Sequence, residues 1–315
     1  MNTVLYGNGF NRLNNANSWE SLVHVIDDSK DNCKVPNTLQ YEGKVLSVPF
    51  EINAKFRTSD GKILISSNHK LLTARAESEI VIKQEIANQM KTYTSNDLFD
   101  KLLCLDVEHY ITTNYDYVAD ETLQRMSYME DPLERDKSES SFSIHRKKCY
   151  INNHEKKYLW KIHGELSNLR SIMLGYNHYC NYVGQIKSYI TGNYKFAKNL
   201  ETGLIPKIEN RLPMTSNNIV SWIDLFFCSD IYIVGLGLYY DEIDLWWILT
   251  LRKRFRQKLG RGFVHNKIYF YGEPESGMKS MLEHLDVEVV SSSKREYENK
   301  YQEYIDDINK RINIV

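Results

Sequence analysis

Val107-Glu108-His109-Tyr110-Ile111-Thr112-Thr113-Asn114-Tyr115-Asp116 starts as a run of β-branched and aromatic residues and ends in polar groups. This pattern predicts a strand that runs straight into a polar loop. Three further runs break off in the same way: Thr3 to Tyr6 into Gly7-Asn8-Gly9, Leu159 to Ile162 into His163-Gly164, and Ile231 to Val234 into Gly235-Leu236-Gly237. In an open parallel sheet with helices on both faces, ligands bind beyond the carboxyl ends of the strands, so four such ends predict one shared site in an α/β fold.

Composition narrows the class. A chain of 315 residues is read as a single domain with insertions, since α/β folds of this length commonly are. Lys plus Arg number 40 against 41 Asp plus Glu, so no global basic field drives nucleic-acid binding, and direct contact with nucleic acid is not expected. The five cysteines, Cys33, Cys104, Cys149, Cys180 and Cys228, are scattered and form no Cys-x-x-Cys pair, which argues against a disulfide framework and a structural zinc. No apolar run is long enough to span a bilayer, and the chain begins on a strand without a charged leader. A cytoplasmic protein without a membrane anchor is the expectation.

Taken in order, the first strand meets Gly7-Asn8-Gly9-Phe10-Asn11-Arg12, and Ser18 is positioned to cap a helix with Trp19, Leu22, Val23 and Ile26 on one face. Two glycines allow backbone amides to approach a phosphate. The third glycine of the dinucleotide fingerprint is missing, so a plain turn is the competing reading. Residues 27 to 61 read as polar loop, Lys70 to Met90 and Asp97 to Leu103 as helices. Thr112 to Asp116 offers two hydroxyls, a carboxamide and a carboxylate, suited either to holding a ribose and a water or to capping a helix. Glu121 to Met129 is predicted helical and Glu130 to Ser143 a charged loop. A hairpin then turns at Asn152-Asn153 and delivers His163, which is either catalytic or structural. Between Ser171 and Ser229 lies an aromatic-rich helical region, with a helix predicted over Asn217 to Phe227; His178 and Cys180 within it are read as packing rather than as metal ligands. The run after Gly237 forms a largely buried helix with an acidic start, and Arg252 to Lys258 is read as its solvated end. Strands over Lys267 to Tyr271 and Val287 to Val290 and a helix from Lys294 to Ile312 complete the chain.

The segments LYGNGFNR with SWESLV, ITTNYD, LWKIHGE followed by IMLGYNHY, and YIVGLGLYYDEIDLWW stand in this order almost end to end. In that combination the chain resembles the sirtuin-like family of NAD-consuming proteins, and within it the bacterial branch acting in anti-phage defence. The resemblance implies a Rossmann-like parallel sheet flanked by helices, with helical insertions at about 27–100 and 165–229 in place of a zinc-binding small domain. It implies that Gly7, Asn8 and Gly9 line the pyrophosphate, that Asn114 and Asp116 meet the nicotinamide ribose, that His163 is the catalytic histidine, with Asn114 and Asp116 as further catalytic residues, that Gly235 and Gly237 flank the adenosine, and that Phe10 and Thr113 also bind the cofactor. The zinc-binding cysteine quartet of sirtuin deacetylases has no counterpart here.

The expected activity is therefore NAD+ hydrolysis, with NAD+ as substrate and no metal, in an effector that depletes NAD+ during abortive infection. A deacylase or ADP-ribosyl transferase is the alternative, and a non-catalytic nucleotide-binding sensor a further one. The resemblance also implies a homo-oligomer, and a partner such as a ring-forming ATPase or an Argonaute-like protein. The aromatic helices between Tyr176 and Phe227 are expected either to supply the contact surface or to cover the site.

Overall fold

A computed structural model describes residues 1–14, 36–47, 68–134, 141–195, 205–211, 219–260 and 262–313. The strands are β1 (Asn2–Tyr6), β2 (His109–Thr112), β3 (Met129–Asp131), β4 (Lys147–Asn152), β5 (Glu155–Lys161), β6 (Asp230–Val234), β7 (Ile268–Tyr271) and β8 (Val287–Val290). They form one sheet in the order β3-β4-β5-β2-β1-β6-β7-β8. From β5 to β8 every pairing is parallel, while β3 and β4 add an antiparallel margin beside β5. Counting the parallel strands alone along the chain, the order is that of the doubly wound dinucleotide-binding sheet, and the direction of winding reverses between β1 and β6. The α/β, Rossmann-like expectation holds.

Alternation along the strands divides the core. Leu5, Ile111, Trp160, Ile231, Ile233 and Phe270 face one side, where they meet α5 (Tyr176–Ile190), α7 (Trp222–Cys228) and α8 (Ile243–Leu259). Val4, Tyr6, Tyr110, Leu159, Tyr232 and Tyr269 face the other, against α3 (Asp97–Leu103), α4 (Val118–Arg125) and α10 (Tyr297–Ile312). Each fully buried aliphatic or aromatic side chain in these layers contributes roughly 1.5–3 kcal/mol. A smaller cluster joins α1 (Asn37–Ser47) and α2 (Asn68–Met90) to Tyr115, Leu166, Ile172 and Leu174. The remaining helices are α6 (Ile208–Arg211) and α9 (Ser276–His284). Among the described residues no helix is long and apolar enough to cross a membrane.

Several local expectations are corrected. Residues 37–47, read as loop, form a helix that starts directly after Pro36, a residue compatible with a helix entry. The helix predicted over Glu121 to Met129 begins at Val118 and ends at Arg125, and Met129–Asp131 pairs with β4 instead of continuing it. The hairpin turns at Asn153-His154, with Asn153 at φ +53. The helix predicted from Asn217 begins at Trp222, where Ser221 Oγ accepts from Ile223 N at 3.3 Å. Arg252 is buried rather than solvated: it follows Leu245, Ile248 and Leu249 at helical spacing on the inward face of α8, and its guanidinium donates to the carbonyl of Asn266. Tyr182, Tyr189, Trp222 and Phe226 of α5 and α7 are core residues, whereas Tyr176, at the start of α5, is 45 % exposed. The helix expected after Ser18, with Trp19, Leu22, Val23 and Ile26, lies outside the described residues.

Candidate active site

All five strands from β5 to β7 open into one cavity of about 360 Å³ at their carboxyl ends. Its lining includes Asn8, Gly9, Thr113, Asn114, Asp116, His163, Gly235 and Gly237, so these expected site residues meet in space. Gly7 and Phe10 do not line it. Phe10 is fully buried, edge-on to Phe99 and Tyr301, and its carbonyl accepts from Asn96 Nδ2 at 2.8 Å. Asn96 also caps α3 by accepting from Phe99 N at 2.9 Å, an interaction that contributes about 1 kcal/mol and ties that helix to the glycine turn.

The turns after β1 and β6 lie against each other where the winding reverses. Gly9 N donates to Gly235 O at 2.8 Å and Gly7 N to Val234 O at 3.3 Å, so these two amides are spent on the protein and are not free to bind phosphate. At Gly9 a Cβ would overlap Tyr301 Oη and come within 2.7 Å of Gly235 Cα, which is why no larger residue fits. Cationic and aromatic groups reach this half of the cavity from elsewhere: Arg12, and Tyr297, Lys300 and Tyr301 of α10. Tyr297 Oη donates to Gly9 O at 3.1 Å, and Lys300 pairs with Glu273 after β7. Sequence reading missed these α10 residues, because a terminal helix carries no local signal of what it packs against.

At the β2 end, Asn114 N donates to Thr112 Oγ1 at 3.0 Å, which fixes the loop conformation. The Asn114 side chain is 8 % exposed and its Nδ2 is buried without a hydrogen-bond partner. An unsatisfied amide at a cavity wall costs free energy that a ligand acceptor would recover. Asp116 ties the loop to the first residue of α4: its Oδ1 accepts from Val118 N at 3.0 Å, and its Oδ2 from Asn11 Nδ2 at 2.8 Å. Asn11 Nδ2 also reaches Asn8 Oδ1 at 3.0 Å, joining the glycine turn to the β2 loop. Burial pushes the Asp116 carboxyl above the usual range, opposed by the Lys161 ammonium and by these hydrogen bonds.

His163 follows β5 and is 2 % exposed. Its carbonyl accepts from Met173 N at 2.9 Å, and its ring lies edge-on to Tyr179 with centroids 5.4 Å apart. Gly164 follows at φ +113, a left-handed conformation that lets the chain turn away at once. His163 Nε2 lies 2.9 Å from Asp244 Oδ2 on the first turn of α8. Asp241 and Glu242 line the same end of the cavity, and Asp241 Oδ2 accepts from Thr38 N at 3.2 Å, which brings α1 over the site. Burial raises the Glu242 carboxyl well above its ordinary value, and Asp244 and Asp241 add to this. The sequence pattern Asp241-Glu242-x-Asp244 was legible only as an acidic helix start; its meeting with His163 is a long-range contact.

Residues 108–204 match the model of a SIR2-like domain. That SIR2-like segment contains Asn114, Asp116 and His163 together with β2 to β5 and α5, whereas the glycine turns at 7–9 and 235–237 lie outside it. No curated protein matches the chain. His178, inside the SIR2-like segment, accepts at Nδ1 from Leu174 N and Gly175 N, both at 3.0 Å, and faces Glu79 at 3.1 Å through Nε2. Among the described residues no group of three His, Cys, Asp or Glu side chains is arranged to hold a metal ion.

Proposed function

We propose that the chain is an NAD+ hydrolase that cleaves the nicotinamide–ribose bond to give nicotinamide and ADP-ribose. The observation that carries this reading is the convergence of Asn114, with its unpaired buried amide, and His163 in one cavity across the carboxyl ends of the sheet, within a SIR2-like segment. Cleavage expels neutral nicotinamide with the electron pair of the C1′–N bond and leaves positive charge on the ribose, so no strong general acid is needed. Asn114 Nδ2 donates to a ribose hydroxyl or to the attacking water. His163 accepts the proton that water loses as its oxygen bonds to C1′. The negative potential of Asp116, Asp241 and Asp244 favours the developing cation.

The reading extends to the cell. The protein acts in the cytoplasm as a defence effector that depletes NAD+, held quiet until assembly with further copies or with a partner protein favours the competent site. Purified protein incubated with NAD+ should release nicotinamide and ADP-ribose, identified by mass spectrometry. Asn114→Ala and His163→Ala should each lower turnover by about 100-fold or more while leaving the circular dichroism spectrum unchanged. Folded variants that consume NAD+ at the wild-type rate would remove both residues from the mechanism.

A further inference from the structure

Asp244 is fully buried at the second position of α8. A carboxylate removed from water is costly unless paired and hydrogen-bonded. The charged groups nearest along its own chain, Asp241 and Glu242, are acidic and give it no counter-charge. Its Oδ1 is buried without a partner, and its Oδ2 meets one side chain, His163, from 81 residues earlier in the chain. The dipole of α8 favours a negative charge at this end of the helix but supplies no hydrogen bond to Oδ1. The imidazole is therefore the partner on which the buried carboxylate depends.

The consequence for His163 follows from proton inventory. A carboxylate only accepts, so Nε2 must carry the proton that spans the 2.9 Å gap. His163 Nδ1 makes no hydrogen bond among the described residues and is not sealed from the cavity. A neutral imidazole protonated at Nε2 has its lone pair on Nδ1. We infer that Asp244 is the positioning residue of this site: it fixes His163 as the Nε2–H tautomer, turns the basic Nδ1 to the cavity, and stabilises the imidazolium once Nδ1 has taken a proton. This rests on the hydrolase reading for its catalytic meaning, but the tautomer is a property of the resting protein.

The test separates the two. In wild-type protein carrying 15N-labelled histidine, with the His163 signals assigned by their loss in His163→Gln, two-bond couplings should report a proton on Nε2 and none on Nδ1. In Asp244→Asn the new amide can present its NH2 group to Nε2, so the proton moves to Nδ1 and the base is lost. NAD+ turnover should then fall about 100-fold or more in kcat with KM changed by less than about threefold. A wild-type Nδ1–H tautomer overturns the inference, and so does a folded Asp244→Asn protein with unchanged kcat. If the substitution prevents folding, the wild-type spectrum alone decides. If the wild type consumes no NAD+, the hydrolase reading fails while the spectrum still tests the role of Asp244.

Discussion

Glu242 carries a cost that is visible in its surroundings. Its Oε2 is buried without a partner, and burial, Asp244 and Asp241 all raise its pKa above 4.5. The folded protein therefore holds this proton at pH values where the unfolded chain has released it. The resulting stabilisation is fully present below about pH 4.5, the unfolded value, and is lost as pH rises through the folded value. Glu242→Gln, which is uncharged throughout, should be more stable than wild type at neutral pH, with the difference shrinking as pH falls towards 4.5. Urea midpoints of both proteins between pH 5 and 8 check this; a difference that does not vary with pH would mean the carboxyl is not strained. The same reasoning explains why an acidic stretch can look bland in a sequence. Asp241, Glu242 and Asp244 suit a helix start by dipole alone, and only the fold, which brings the loop after β5 to the start of α8, converts one of them into the partner of a histidine.

Where α4 meets the sheet, the same chemistry has the opposite sign. Asp120 on α4 lies 2.8 Å from Lys161 of β5 and 2.7 Å from Lys148 of β4, and accepts from Tyr150 Oη at 2.7 Å. Burial pushes the Asp120 carboxyl up, but Lys161 and Lys148 together outweigh it, so the net shift is downward. Its contribution is therefore present above about pH 3.9, the unfolded value, and lost as pH falls through the lower folded one. Asp120→Asn should cost about 3–5 kcal/mol by urea unfolding at pH 7, because it leaves the Lys161 ammonium buried without its anion. The measured loss should be nearly independent of added salt, since buried pairs are poorly screened. Lys161 also donates to the carbonyl of Asp116, so the variant should loosen the Asn114 loop as well. At this level the sequence was readable where a signal is local. β-branched and aromatic runs marked β1, β2 and β6, the apolar Leu159-Trp160 pair marked β5, and helical spacing marked α2 and α3. Arg252 was not readable from the charge run around it, although the spacing Leu245, Ile248, Leu249, Arg252 placed it on the buried stripe. Residues 37–47 were obscured by Gly43 and by a pattern in which polar Thr38 and Gln40 are buried while Leu39 is exposed.

Across the whole molecule, the site belongs to distant parts of the chain. Its Asn114 and His163 walls were legible because each ends a strand. The walls built by Arg12, Glu242, Tyr297 and Lys300 were not, since each depends on which elements the sheet order makes neighbours. Tyr301 shows how closely they are joined: its ring lies 4.7 Å from that of Phe10, edge-on, and it is 7 % exposed. Tyr301→Ala should cost about 3–5 kcal/mol in urea unfolding and, under conditions where the protein stays folded, raise KM for NAD+ more than it lowers kcat, because it removes support for the binding wall and touches neither Asn114 nor His163. A fall in kcat alone would contradict that division of labour.

The hydrogen bond from Tyr297 to Gly9 joins positions 288 residues apart. On the ribosome that separation is time: at ~5–20 residues per second, about 15–60 s pass between synthesis of the glycine turn and synthesis of the helix that braces it. Throughout that interval the nascent chain has its first turn but lacks the wall that completes it. On the hydrolase reading proposed above, the site stays incomplete during synthesis and is closed only when α10 docks.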